Sequence, residues 1–402
     1  MVEAGSRPDP NLRVAMVDSG RYAPPYTVGL CASLRRLGAE VTLYSRPIRA
    51  AEPRDSLGSD EVPLFYRFSE WIRRRGAPVP VAQVLRVVEH GIGLVSLWRR
   101  LRRDPPDVLH FQWLVVPVLD WVFLRVWRAS PTVVTVHDTN TLHGVSRFSP
   151  RALGMGSALN AADHLVVHTK YSIEQLRDQG VNRPTEVLPL GVQLEPPCEQ
   201  VRGEGDSICR VLMFGRLAEY KGVDVLIRAA GEVARNLGGC LEVTIAGIPQ
   251  VDMGSLTDLA AEVGAGDVLR WELGFISDER VRELFCQSDV LALPYRDVDG
   301  SGVMANALGY GLPAVASDLP GFREVVDHGV NGLLFGVDDH LELARILRRL
   351  VGDRGLIESL ARGQRVRAEG MSWPVVAEET MKYYRSLKPP GTGSGEDRGQ
   401  GP

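Results

Sequence analysis

The chain predicts an α/β fold made of two doubly wound, Rossmann-like halves that face a central cleft. Three observations predict it. A strand–helix–strand alternation runs through both halves, a single break interrupts it at residues 191–206, and the composition is that of a globular protein. The 402 residues make two or three domains the expectation. Hydrophobic residues at 44% and charged residues at 24% exclude a mostly disordered chain. The 42 Gly and 26 Pro follow no triplet period, which excludes a collagen-like rod.

RVAMVD, residues 13–18, reads as a short buried strand, and the loop SGRYAPPYT follows with its Gly and paired Pro. Residues 28–37 have helical spacing that stops at Gly38, and EVTLYS is the next strand. Such a βαβ unit requires a parallel sheet. The pattern recurs: DVLHFQW is a strand, residues 115–127 a helix, and TVVTVHD, HLVVHT and TEVLPL are strands. GVQLEPPCEQVRGEGD then loses the periodicity and collects Pro, Gly and charge, as a linker does. The alternation restarts with CRVLMFG, a helix over 223–237, LEVTIAG, DVLALP, a helix holding residues 305–309, and LPAVAS. The expected domains are 11–190, an interdomain linker at 191–207, and 208–372. A helix at 373–387 is free to pack back on the first domain, and 388–402 is a disordered tail. In open sheets of this kind, ligands bind at the carboxyl ends of the strands.

Composition narrows the function classes. The apolar stretch 113–127 is broken by Asp120 and Arg125, and no run approaches the roughly 18 uninterrupted apolar residues of a spanning helix. MVEAGSRPDP lacks the basic start and apolar core of a secretory signal. Five Cys without a CxxC pair argue against a disulfide scaffold or zinc site and suit a reducing cytoplasm. A net charge of −4 is too mild for a nucleic-acid partner. The basic excess lies between Trp71 and Arg103, with eight Arg against one Glu. Arg clusters at both ends of an apolar helix suit an anionic membrane surface; a helix packed on the sheet with solvated Arg residues is the competing reading.

The most informative stretch is FGRLAEYKGVDVLIRAA. Gly215 ends a strand, Arg216 lies just beyond it, and Lys221 precedes a helix. Two cations beside free helix-initial N–H groups suit a diphosphate. Only four residues are Lys, so one inside a motif carries weight. In LPYRDVDGSGVMANALGYGLPAVAS, Gly300, Ser301, Gly302 and Val303 form a turn able to present N–H groups and a hydroxyl to phosphate oxygens. Its alternative role is an ordinary connection with Ser301 as N-cap. In the first half, His137 and Asp138 end a strand and can hydrogen-bond sugar hydroxyls. His110 is better read as core. Gly20 permits close approach of a ligand to the loop after the first strand, and Tyr22 and Tyr26 can stack on one. Glu324 is expected at a helix start, where it favours the dipole.

Together these segments resemble the family 4 glycosyltransferases of the two-Rossmann GT-B architecture. The resemblance rests on YAPPYTVGLCASLRRLGAEVTLYS, PDVLHFQW, TVHD, VLPLGV, GRLAEYKG, DVLALPYR, GYGLPAVAS and PGFREVVDHGVNGLLF in that order. It implies transfer of a sugar from a nucleotide-diphosphate donor to a sugar or lipid-linked acceptor, such as a cell-envelope polysaccharide precursor, with retention at the anomeric carbon. It implies no cofactor and no tightly bound metal. Arg216 and Lys221 would neutralise the diphosphate, Gly274, Phe275 and Ile276 would flank the base, and His137 would lie near the donor sugar. The family's two Glu, separated by seven residues, fall on Val298 and Asn306, so neither carboxylate is present. Asp297 or Asp299 would then contact the sugar and Asn306 the ribose. The rival readings are a GT-B sugar-nucleotide epimerase, a non-catalytic nucleotide-binding partner, and, last, a dehydrogenase, for which a GxGxxG after the first strand is missing.

Overall fold

The computed structural model describes residues 12–48, 60–75, 79–139, 154–198 and 207–387. The start of the chain, the linker residues 199–206 and the tail 388–402 lie outside the described residues. The chain divides into two units: residues up to Gly191 together with Trp373 onward, and Val192–Ser372.

The first unit holds a seven-stranded parallel sheet of β1 (Arg13–Asp18), β2 (Glu40–Ser45), β3 (Glu61–Pro63), β4 (Val108–Phe111), β5 (Thr132–Thr135), β6 (His164–Val167) and β7 (Thr185–Val187). Their order is β3-β2-β1-β4-β5-β6-β7. Crossovers are supplied by α1 (Pro24–Arg36), α2 (Arg67–Arg74), α3 (Val79–Arg103), α4 (Pro117–Val126), α5 (Met155–Leu159) and α6 (Lys170–Asp178). β1 pairs with β2 on one side and β4 on the other, Val14 opposing both Val41 and Val108. That is the point where the strand order reverses, so the carboxyl ends of β1 and β4 open a crevice. The strands read as continuous apolar runs because helices cover both faces of a parallel sheet. One expectation is corrected: α1 starts at Pro24, not near residue 28, with prolines at its first positions. A helix leaves its first N–H groups unpaired, so Pro costs nothing there, and APPY is a helix start rather than a connector.

The second unit repeats the scheme with β8 (Cys209–Phe214), β9 (Leu241–Gly247), β10 (Leu269–Leu273), β11 (Val290–Leu293), β12 (Ala314–Ser317) and β13 (Gly332–Phe335). The order is β10-β9-β8-β11-β12-β13, which places the reversal between β8 and β11. Around the sheet run α7 (Val223–Leu237), α8 (Met253–Glu262), α9 (Asp278–Gln287), α10 (Gly302–Tyr310), α11 (Pro320–Arg323), α12 (His340–Gly352) and α13 (Arg354–Glu369). Side-chain caps set several starts: Asp252 accepts from Gly254 and Ser255 N–H, and Asp339 from Glu342 N–H. Glu324 is a second correction. Pro320 opens α11, which ends after one turn, so Glu324 sits at its C-cap rather than at a helix start, where the dipole does not favour a carboxylate. A third concerns cysteine: Cys198 and Cys286, 88 residues apart, are joined in a disulfide that their spacing did not reveal. Cys31, Cys209 and Cys240 take no part in a disulfide among the described residues.

The last helix, α14 (Trp373–Ser386), belongs to the first unit and packs on α1. Trp373 lies flat against two glycines; a Cβ on Gly29 or Gly191 would sit 2.5 or 2.2 Å from its ring. Tyr384 hydrogen-bonds His110 Nδ1, whose Nε2 meets Thr135 Oγ1 at 2.7 Å. Burial lowers the His110 pKa to about 3, so the ring is a neutral core group. Trp373→Ala should therefore destabilise the first unit by about 3–5 kcal/mol. Urea denaturation followed by circular dichroism would show an earlier transition than in the wild type.

Candidate active site

In the second unit the predicted cations converge at the switch point. β8 runs into Gly215, whose φ of 111° suits glycine alone. A Cβ there would lie 2.9 Å from Lys221 Nζ and 3.3 Å from Val303 Cγ2. Bare main chain, the ammonium and the first turn of α10 thus share one spot. Lys221 ends a 3-10 turn, Glu219–Lys221, and Gly222 follows with φ of 64°. A Cβ on Gly222 would stand 2.0 Å from the Pro294 carbonyl oxygen, so this turn lies hard against the exit of β11.

Lys221 is only 6% exposed. Among the described residues no carboxylate pairs with it; its ammonium lies 5.0 Å from the centroid of the Tyr295 ring. Burial, and then the charge of neighbouring Arg216, pull its pKa down to about 8. Arg216 itself is exposed. A second anion-binding element comes from α10. Ser301 is its N-cap, the hydroxyl accepting from Met304 N–H at 3.2 Å. The Ser301 oxygen accepts for the helix and its O–H remains a donor, so this turn can present that hydroxyl together with the N–H groups of Gly302 and Val303, which have no intrahelical acceptor.

The remaining second-unit positions spread around the same strand ends. Val298 is buried in the core beneath the loop, and the loop backbone is crowded by Gly321, whose Cβ would lie 2.7 Å from the Val298 and Asp299 carbonyl oxygens. Asp299 is buried and Asp297 partly exposed, while Gly300 and Asn306 face solvent. Gly274 leaves β10 with φ of 116°, its N–H donating to the Gly247 carbonyl at 2.9 Å. Phe275 is 77% exposed, and Ile276 packs on the core that includes Val298 and Met304.

The first unit builds a different kind of site at the ends of β1, β4, β5 and β6. His137 stacks on Trp113 with centroids 4.6 Å apart, and Tyr26 meets His137 and His168 edge-on at 4.9 and 5.2 Å. His168 Nδ1 lies 2.9 Å from the Leu188 carbonyl oxygen and its Nε2 3.0 Å from His137 Nδ1. Burial holds both rings well below the ordinary histidine pKa, His168 at about 4. Each therefore carries one proton at neutral pH, and the geometry says where. His168 donates from Nδ1 to Leu188, so its Nε2 accepts from His137 Nδ1–H. His137 Nε2 is left as an acceptor 3.2 Å from Gln112 Oε1, so a hydrogen bond there needs the Gln112 amide turned over from the orientation in which its Nε2 donates to Met16 Sδ at 3.0 Å. With Asp138, Trp113, Met155, Leu176 and Gln179, His137 lines a pocket of about 160 Å³.

The loop after β1 is held by its own contacts. Asp18 accepts from Thr27 Oγ1 at 2.9 Å, Arg46 Nε donates to the Gly20 carbonyl at 3.0 Å, and Arg21 pairs with Glu61 in a buried ion pair. What crowds Gly20 is the ring of Tyr22, 2.2 Å from where a Cβ would be. Tyr26 is a buried wall of α1, whereas Tyr22 is the exposed aromatic, 5.6 Å from Trp113. Sequence reasoning did not single out Gln112, Trp113, His168 or Tyr295. A signal existed for the first two: they follow β4 at a strand end, like His137.

Residues 204–367 match the glycosyl transferases group 1 family and residues 25–196 match Glycosyltransferase Family 4. The chain belongs to the family 4 glycosyltransferases. Among curated relatives, D-inositol 3-phosphate glycosyltransferase of Nocardia farcinica is 27% identical over 304 residues, 69% of this chain and 66% of that protein. The enzyme of the same name from Salinispora arenicola is 29% identical over 310 residues, 69% and 68% of the two chains. The chain thus spans about two thirds of these relatives' length. Its two-unit architecture is that of sucrose-phosphate synthase from Thermosynechococcus elongatus, with a TM-score of 0.71, 18% identity and coverage of 93% and 98%. It is equally that of Anabaena Alr3699/HepE in complex with UDP and glucose, with 0.68, 16%, 94% and 100%. At the two positions that the resemblance gives to paired Glu residues, this GT-B glycosyltransferase has Val298 and Asn306.

A buried ammonium with a lowered pKa destabilises the fold while it stays charged. Lys221 binds its proton less tightly folded, at about 8, than unfolded, at 10.5. The cost, about 3 kcal/mol, is fully present below pH 8 and disappears as pH rises towards 10.5. Lys221→Met should raise stability by up to about that amount at pH 7, and the gain should vanish at the alkaline end. Urea denaturation of both proteins at several pH values measures the difference.

Proposed function

We propose that this glycosyltransferase moves a sugar from a nucleotide-diphosphate donor to a hydroxyl acceptor with retention at the anomeric carbon. The observation that carries the reading is the buried Lys221 ammonium, without a carboxylate partner among the described residues, beside the open main chain of Gly215 and the start of α10. A cation desolvated without a counter-ion is costly, and a diphosphate is the ligand that offsets the cost. The UDP and glucose held by the HepE neighbour favour a nucleotide donor of this class.

In this reading Arg216, Lys221 and the N–H groups of Gly302 and Val303 hold the diphosphate, and Phe275 with Gly274 and Ile276 flanks the base. Asn306 meets the ribose, and Asp297 and Asp299 lie towards the sugar. The first unit takes the acceptor, with Tyr22, His137 and Asp138 towards its hydroxyls. As the anomeric C–O bond to the β-phosphate breaks, negative charge grows on the departing oxygen, where fixed cations stabilise it most. The acceptor oxygen bonds to the same face and its proton passes to the leaving phosphate. The products are a glycosylated acceptor and a nucleoside diphosphate, with neither cofactor nor metal in the scheme. Excluding water from the bound pair limits hydrolysis.

Arg216→Ala combined with Lys221→Ala should lower kcat/KM at least 100-fold, since each removes charge from the leaving group. Product analysis with UDP-glucose and related donors tests this, and unchanged turnover would refute the diphosphate role. Donor conversion without any acceptor would favour the epimerase reading.

For the acceptor we favour a lipid-linked saccharide or envelope precursor met at an anionic membrane surface. No helix among the described residues is long and apolar enough to cross a membrane. Phe68 and Trp71 on α2, and Val84, Val87, Val88, Ile92 and Val95 on α3, are exposed. Arg75 covers the Trp71 ring at 3.8 Å and Arg102 that of Trp98 at 4.8 Å, so apolar and cationic groups share the surface. Vesicles rich in phosphatidylglycerol should sediment the protein and neutral vesicles should not. Trp71→Glu with Ile92→Glu should abolish sedimentation and leave the fold intact by circular dichroism. Equal sedimentation by both vesicle types would remove the electrostatic part of this reading.

A further inference from the structure

Arg296 follows β11 by three residues and was not among the residues the sequence singled out. Its contacts converge on the turn that carries Lys221. Its backbone N–H donates to the Tyr220 carbonyl at 2.7 Å and its Nη1 to the Glu219 carbonyl at 2.8 Å. Nη2 donates to Asp224 Oδ2 at 2.8 Å, in the first turn of α7, and Nε to Asp338 Oδ1 at 2.7 Å, ahead of α12. One planar fork thus joins the exit of β11, the Glu219–Lys221 turn, the start of α7 and a loop beyond β13. Tyr295, the residue before it, supplies the ring beneath the Lys221 ammonium.

We propose that Arg296 is the positioning residue of the diphosphate site, holding the Glu219–Lys221 turn so that the Lys221 ammonium stays at Gly215 and the start of α10. The inference rests on the reading that Lys221 receives the donor diphosphate. Three considerations carry it. First, Lys221 reaches the site on a flexible four-carbon stem, and its desolvated charge gains hydration by swinging outwards, so something must hold its backbone. Second, the turn is otherwise held by packing, Tyr220 edge-on to Tyr295 at 5.8 Å and Gly222 close against Pro294, contacts without the direction of a hydrogen bond. The carbonyls of Glu219 and Tyr220, both bonded to Arg296, supply that direction. Third, Arg296 is not a third phosphate ligand: three of its nitrogens already meet two carboxylates and a carbonyl, and the two carboxylates more than offset its single charge. Ion pairs as exposed as these add little to global stability, so their consequence is positional. Lysine cannot reproduce a fork aimed at three acceptors at once.

The test measures binding of a nucleoside diphosphate (UDP, GDP or ADP, whichever the wild type binds) by calorimetry from pH 6.5 to 9.5. The proteins are the wild type, Arg296→Lys, Arg296→Gln, Asp338→Asn and Lys221→Ala, with donor kcat and KM for each. Wild-type affinity should fall above pH 8 as Lys221 loses its proton. Both Arg296 variants should bind at least tenfold more weakly at pH 7, flatten the alkaline limb as Lys221→Ala does, and fold normally by thermal shift. Arg296→Lys should not rescue. Asp338→Asn, which removes one arm and leaves the carbonyl contacts, should lose about threefold and serves in place of the Arg296 variants should they fail to fold. Wild-type affinity and an unchanged alkaline limb in the Arg296 variants, or in Asp338→Asn where it replaces them, with binding lost in Lys221→Ala, would overturn the inference alone. Unchanged binding in Lys221→Ala would overturn the diphosphate reading beneath it.

Discussion

An ammonium buried with no carboxylate partner among the described residues is the constraint around which the second unit is arranged. Lys221 could be hydrated at almost any surface position, yet it lies desolvated between Gly215, Val303 and the Tyr295 ring. Each neighbour follows from that placement. Gly215 has no side chain because the ammonium occupies the space a Cβ needs, and Gly222 has none because its turn touches the Pro294 carbonyl. The strain and desolvation are confined to the reversal between β8 and β11, where a doubly wound sheet leaves a crevice at its strand ends. A buried cation that costs stability in this way is the mark of a site arranged for binding rather than for folding.

The first unit solves the opposite electrostatic problem with the same topology. Its cations near the strand ends are used up internally, Arg21 on Glu61 and Arg46 on the Gly20 carbonyl. His137 and His168 are kept neutral by burial, and His137 also by the neighbouring His168. The result is an aromatic surface of Trp113, Tyr22 and His137, with Asp138 in the same pocket, in which a hydrogen-bond chain from Leu188 through His168 fixes the imidazole tautomer. Such a surface discriminates among hydroxylated ligands by geometry.

How much of this the sequence disclosed depends on which forces are local. Continuous apolar runs such as RVAMVD and LEVTIAG declare buried parallel strands, and their limits in the structure are Arg13–Asp18 and Leu241–Gly247. The short edge strand EVP, with its terminal Pro, offers no such run. Pro24 and Pro25 read as a connector because the same residue serves turns and helix starts; burial of α1 against α14 decides between them. Arg216 and Lys221 were legible because they sit beside a strand end and a glycine in a chain that uses Lys sparingly. The His137–His168 pair spans 31 residues and the Cys198–Cys286 bond 88, and neither spacing has meaning until the strands are laid side by side. Ser301 was assigned two roles by its position, and the geometry of α10 shows its oxygen accepting as the cap, which leaves the O–H as a donor.

The two missing family carboxylates follow from the same physics. Val298 is in the core, packed under a loop whose carbonyls are met by Gly321, so a Glu there would carry its charge into an apolar cluster. The loop instead keeps acidic residues on either side of it, Asp297 partly exposed and Asp299 buried. Asn306, on the exposed face of α10, can donate as well as accept, which a carboxylate cannot. Uncharged residues at both positions leave the charge of Lys221 and Arg216 to the donor diphosphate of the proposed reaction. In the proposed reaction the site then depends more on its cations and helix-initial N–H groups than on carboxylate contacts to the sugar. A fixed cation works only if it is held in place, so the loss of carboxylates and the bracing of the Lys221 turn belong to one electrostatic design.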